Sequence, residues 1–235
     1  MTLAAKLASI SRLAVLLLAA SWNVSAEVAD VTANVHIENA PSTKPLSPAN
    51  VVFWLTPIDL PLPQSVPAQH IRLVQKNKEF TPHLLVVPMG TSVEFPNMDP
   101  FFHNVFSLFN SKRFDLGLYE AGSRHSVSFD REGVSYIFCN IHPEMGAVVV
   151  SLRSPYYAVS NAEGSIVVHG VPPGRYRFQT WAEQLQPVRA AEQTIQVSSK
   201  TTAIGALNFV PSADPIEHHK NKFGKNYPAT PASPY

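Results

Sequence analysis

One cysteine, Cys139, in 235 residues excludes a disulfide framework, so the fold must be held by apolar burial or by a metal. Charge is sparse too: Asp, Glu, Lys and Arg make up 15% of the chain, where about 25% is usual. That argues against a disordered or nucleic-acid-binding chain, since both need dense charge. Eighteen basic residues nearly balance seventeen acidic ones, so net charge points to no polyanion and to no acidic substrate. Ten glycines stand against twenty-one prolines, and proline fixes φ and removes a backbone donor, which suits short strands joined by stiff turns. No amphipathic stripe of three helical turns occurs, which argues against a long helical architecture. Long apolar runs are missing as well. The run Leu13-Ala14-Val15-Leu16-Leu17-Leu18-Ala19-Ala20 is far short of the roughly 20 residues that span a bilayer. With Lys6 and Arg12 before it and Val24-Ser25-Ala26 after it, residues 1–26 read as a secretory signal peptide. The expectation is an exported protein, periplasmic or extracellular, with no membrane span once the signal is removed. In an oxidising compartment an unpaired thiol is prone to oxidation, whereas a ligated thiolate is protected.

What the chain does contain is period-two alternation and β-branched or aromatic runs at short intervals, at 31–37, 51–55, 84–87, 92–95, 126–129, 134–139, 147–152, 165–169, 175–181 and 194–197. Breakers such as Pro88-Met89-Gly90, Glu132-Gly133 and Pro172-Pro173-Gly174 fall between them. The expected fold class is all-β. Residues 56–69 hold four prolines and read as a stiff connection, with 61–69 as the linker proper. Residues 212–235 read as a flexible tail.

The stretch that carries chemistry is Cys139-Asn140-Ile141-His142-Pro143-Glu144-Met145, with His103 thirty-six positions before the cysteine. A thiolate, two imidazoles and a thioether form the blue-copper donor set, because soft sulfur suits Cu(I) and imidazole suits both oxidation states. Cysteine, histidine and methionine at i, i+3 and i+6 fit a loop wrapped around one ion. Pro143 stiffens that loop, and Gly146 lets the chain re-enter a strand. Three other readings stand beside this one. A lone cysteine ending a strand is often a small buried hydrophobe. Zinc also takes Cys and His, although Met is a poor zinc ligand. A Cys–His nucleophilic pair lacks a third orienting group. His36, His70, His83, His125 and His169 read as scattered surface residues, and His218-His219 as part of a solvated tail.

These residues resemble the cupredoxins, and the C-x-x-H-x-x-M loop is similar to the short ligand loop of amicyanin-type members rather than the longer plastocyanin loop. The segments Glu79-Phe80-Thr81-Pro82, Leu85-Val86-Val87, Gly90 to Asn97 and His103-Asn104-Val105-Phe106-Ser107 look like the rest of the copper-binding half, over residues 70–152. Cys-Asn-Ile-His and Phe114-Asp115-Leu116-Gly117 also resemble exported plastocyanin-like proteins, sometimes named methylamine utilisation proteins. That name is no evidence of methylamine metabolism. The resemblance implies a Greek-key β-sandwich, with His103, Cys139 and His142 as equatorial ligands, Met145 as the axial one, and Asn104 bonding to the loop or the thiolate. Residues 35–57 and 156–178 resemble the two halves of a carboxypeptidase-regulatory-like or transthyretin-like sandwich. A second, smaller β-sandwich over 153–211 is therefore expected, with two arrangements open: the N-terminal strands in 27–60 complete it and the copper half is inserted into it, which is the favoured one, or the copper half is packed on it in tandem.

The function expected is that of an exported type 1 copper protein, a one-electron carrier with one copper and no catalysis. The alternative is a module that binds or delivers copper, or a structural binding module. Multicopper oxidase or copper hydrolase chemistry lacks support, because no H-x-H cluster supplies another centre. The expected partner is a redox protein, donor or acceptor. Electrons are expected to pass through His142, with apolar Ile141 and Pro143 as a dry docking surface, while His103 lies buried behind Phe101-Phe102.

Overall fold

The structure, a computed structural model, describes residues 27–38, 46–64, 66–189, 192–212 and 219–227; the proposed signal peptide and His218 lie outside these. All regular structure among the described residues is strand. Two strands come first, β1 (Ala29–Ile37) and β2 (Val52–Pro57). Ten follow: β3 (Ile71–Arg72), β4 (Val74–Lys76), β5 (Glu79–Thr81), β6 (Leu84–Pro88), β7 (Thr91–Pro96), β8 (His103–Phe109), β9 (Lys112–Tyr119), β10 (Arg124–Phe129), β11 (Gly133–Cys139) and β12 (Gly146–Leu152). Six close the chain: β13 (Tyr157–Val159), β14 (Ser165–Val171), β15 (Gly174–Trp181), β16 (Leu185–Pro187), β17 (Glu192–Val197) and β18 (Thr202–Pro211).

The middle ten make one sandwich. A sheet in the order β6-β12-β11-β8-β9 faces a sheet in the order β10-β7-β3, and the hairpin β4-β5 stands beside them. Their alternating residues fill the space between: Val93 and Phe95 from β7, Val127 and Phe129 from β10, Val105 from β8, Ile137 and Cys139 from β11, and Ala147 and Val149 from β12. The outer strands make the other sandwich, from sheets β14-β1-β18-β16 and β13-β2-β15-β17. β1 lies antiparallel to β14 and parallel to β18, and β2 pairs with β13 and β15. Residues 29–57 and 157–211 thus share two sheets and one core, which includes Val31, Ala33, Phe53, Leu55, Ile166, Tyr176, Phe178 and Phe209.

β12 joins the two sandwiches. Its sequence Gly-Ala-Val-Val-Val-Ser-Leu lacks polar alternation because both of its faces are buried. Ala147 and Val149 face the first core, whereas Val148, Val150 and Leu152 meet Val52, Trp54, Tyr157 and Trp181 of the second sandwich. At one edge of this interface His83 Nε2 stands 2.6 Å from Glu183 Oε2, and His83 Nδ1 lies 3.1 Å from the carbonyl of Gly146.

The structure differs from the sequence reading at 219–227. These residues do not form part of a free tail but lie against the end of β11. His219 stacks on Phe138 with ring centroids 3.9 Å apart, and the Tyr227 hydroxyl donates to the Cys139 carbonyl at 2.7 Å. Aromatic area and an open backbone acceptor hold the segment, two features that composition does not reveal.

Candidate metal centre

Two strands and one loop assemble the site. β8 begins at His103, β11 ends at Cys139, and the two strands pair with Cys139 opposite Val105. The loop closes by its own hydrogen bonds: Cys139 N–H donates to the Met145 carbonyl at 3.2 Å, and Met145 N–H donates to that of His142 at 3.1 Å. Asn140 N–H donates to the Asn104 carbonyl at 2.8 Å, which ties the loop to β8.

Within this frame His103 Nδ1, His142 Nδ1 and Cys139 Sγ face one another. The sulfur is 3.6 Å from each nitrogen, and the nitrogens are 3.2 Å apart. The point equidistant from the corners of such a triangle lies about 2 Å from each, the range of metal–imidazole bonds and slightly short of metal–thiolate bonds. Cys139 and His103 are fully buried, and His142 is 7% exposed. Met145 is also fully buried, in the same core as Cys139. Phe101 closes the approach, its ring 5.4 Å from that of His103 and 5.5 Å from that of His142.

The electrostatics prepare both imidazoles as lone-pair donors. Burial pulls the pKa of His142 down to about 4, with the neighbouring His103 adding to the effect. Burial lowers that of His103 as well, partly opposed by the Asp99 carboxylate. Asp99 Oδ2 lies 2.9 Å from His103 Nε2, and a carboxylate there keeps the proton on Nε2, so Nδ1 turns a bare lone pair to the site. Burial pushes the Asp99 carboxyl up, but the Lys78 N–H, the His103 ring and the Asn77 N–H together hold it below its ordinary value. Burial pushes the Cys139 thiol up, against the backbone amides of Asn104, Ile141 and His142. A cation among the three atoms would displace the thiol proton and relieve that cost.

This donor set fits copper better than zinc. Asp99 is turned to the back of His103, so among the described residues the His, Cys, Asp and Glu side chains that can hold a metal together are His103, Cys139 and His142, and no fourth hard donor joins them. Asp99 escapes sequence reading because it sits in an irregular loop, with no periodicity to aim it at His103. Asn104 acts through its backbone. Its side chain turns away, donating to Asp115 Oδ1 at 2.6 Å, so it bonds to neither loop nor sulfur. Glu144 is exposed, which leaves its charge to solvent screening. Of the expected docking residues, Ile141 is 37% exposed and Pro143 half-buried, and the loop before β8 adds exposed Met98 and Phe102.

No family model matches the chain, and no curated protein does. Solved structures do. A purple cupredoxin from Nitrosopumilus maritimus is 26% identical over 35% of this chain and 99% of its own, with a TM-score of 0.32. A reduced Cu(I) amicyanin variant is 22% identical over 37% of this chain and 86% of its own, at 0.33. A copper-containing nitrite reductase from Thermus scotoductus is 21% identical over 50% of this chain and 28% of its own, at 0.34. At scores of this size, the functional reading rests on the geometry of the site itself.

Proposed function

We propose that the chain is an exported one-electron carrier of the type 1 copper kind, with His103, Cys139, His142 and Met145 as ligands. The observation that carries this reading is the buried triangle of two imidazole nitrogens and one sulfur, already spaced for an ion. Bound copper would supply a Cu(II)/Cu(I) couple. The chain's part is to hold one geometry for both states: Asp99 fixes the His103 ring, β8 and β11 fix the cysteine, and the loop's own hydrogen bonds fix His142 and Met145. Burial of the donors supports a carrier over a delivery module, which must release its ion. His142, with Ile141, Pro143, Phe102 and Met98 around the loops, is the face through which a redox partner would be met, and apolar contacts of modest area allow fast release.

The test is Cu(II) addition to the purified full chain, followed in the visible spectrum and by redox titration. An intense thiolate-to-Cu(II) band that bleaches reversibly on reduction is expected, and Cys139→Ala should abolish it. Pro143→Glu should leave the band and slow exchange with a small redox protein. Zinc binding with no coloured copper form would overturn the reading.

A further inference from the structure

The ligand loop is gripped from outside the sandwich that contains it, and the grip at the cysteine end comes from residues 219–227. Tyr227 donates its hydroxyl proton to the Cys139 carbonyl at 2.7 Å. That carbonyl stands at the last residue of β11, where the ladder stops. Lys222 binds twice. Its N–H donates to Asn140 Oδ1 at 3.0 Å, and its Nζ reaches Asp115 Oδ2 at 2.7 Å. The other oxygen of Asp115 accepts from the Asn104 side chain at 2.6 Å and from Gly117 N–H at 3.0 Å. Asn104 in turn follows His103 and receives Asn140 N–H on its carbonyl. His219 lies flat on Phe138, the residue before the cysteine, and the Tyr227 ring meets His219 edge-on at 5.2 Å. Three contacts thus fall on Phe138, Cys139 and Asn140, and a fourth reaches β8 through Asp115.

We propose that Tyr227 and Lys222 are positioning residues of the metal site, holding the Cys139–Asn140 segment and the Asp115–Asn104 pair so that the sulfur stays seated whether or not an ion is present. The identity of the ion rests on the function proposed above; the strap itself does not. A cysteine held by β11 and the loop alone would have an open carbonyl and an unrestrained Asn140 side chain.

The experiment uses the full chain with Tyr227→Phe, Lys222→Met and Lys222→Arg. Tyr227→Phe keeps the ring and loses only the hydroxyl. In metal-free reduced protein, alkylation of Cys139 by iodoacetamide should quicken about tenfold in Tyr227→Phe, the size expected when local opening loses one hydrogen bond, and about two- to fivefold in Lys222→Met, which keeps the backbone bond to Asn140 and loses only the partly exposed pair with Asp115. Lys222→Arg should restore the parent rate. With copper, both losses should shift the thiolate band. Folded variants that keep parent alkylation rates and band would overturn the strap and leave the segment as a surface cover. A variant that unfolds outright, with the other two at parent rates, would overturn it equally. Parent protein with no coloured copper form but with the alkylation effect intact would overturn the copper reading and support the strap.

Discussion

Asp99 fixes what His103 can do, because the ring has two nitrogens and only one can keep the proton while the other faces the sulfur. The same carboxylate accepts the N–H of Asn77 at 2.6 Å and of Lys78 at 3.0 Å, so it is itself held in place. A ring paired with an anion is a more basic ligand and favours Cu(II). Asp99→Asn should therefore weaken Cu(II) binding by about 10- to 100-fold and raise the potential, read by competition titration and redox titration. Unchanged values would confine Asp99 to bracing the 77–78 turn. The grouping of His103, Cys139 and His142 was legible in the sequence because their types and spacing name a donor set. Asp99, Tyr227 and Lys222 were not, since their effect depends on where irregular segments return in space. Asn104 was singled out by position, but its side chain serves Asp115, a choice that only the third dimension reveals.

Among the elements, β12 sets the relation between the sandwiches. Leu152 is 1% exposed and lies with Val148 and Val150 against the second sandwich, away from the ligand loop. Leu152→Ala should cost about 2–5 kcal/mol in urea unfolding while leaving the copper spectrum unchanged, as expected for a buried leucine deleted without collapse of the site. A loss under about 1 kcal/mol would mean that the interface contributes little. The all-β class and ten of the strands could be read from alternation, but β8, which carries His103, could not. It is buried on both faces through its first five residues, so His-Asn-Val-Phe-Ser shows no period of two. β18 was hidden for another reason. Gly205, with φ of +89°, lies where its pairing with β1 shifts register, which interrupts the pattern. The short strands β3, β4, β5, β13 and β16 hold two or three residues each, too few to show any period.

Across the whole molecule, the His83–Glu183 pair links the start of β6 to the loop after β15. Glu183 raises the His83 pKa above its ordinary 6.5, with burial opposing and the Gly146 carbonyl assisting. The stabilisation is therefore fully present below about 6.5 and is lost as pH rises through the folded value. With the imidazole 54% exposed, solvent screening keeps it to roughly 1 kcal/mol or less. Thermal unfolding at low salt should show a small stability gain at about pH 6 over about pH 9 that disappears in Glu183→Gln; equal pH dependence in both would exclude the pair. The order of strands in the chain has a consequence in time. β1 lies between β14 and β18, and Val31 is partnered by Thr202, about 170 residues later, which at 5–20 residues per second means a delay of roughly ten to thirty seconds during synthesis. β3 to β12 are complete long before then, so the sandwich that carries His103 and Cys139 can close while β1 still has an unpaired edge. For that interval β1 is the strand most exposed to mispairing, and β18, made so much later, is the one that removes the hazard.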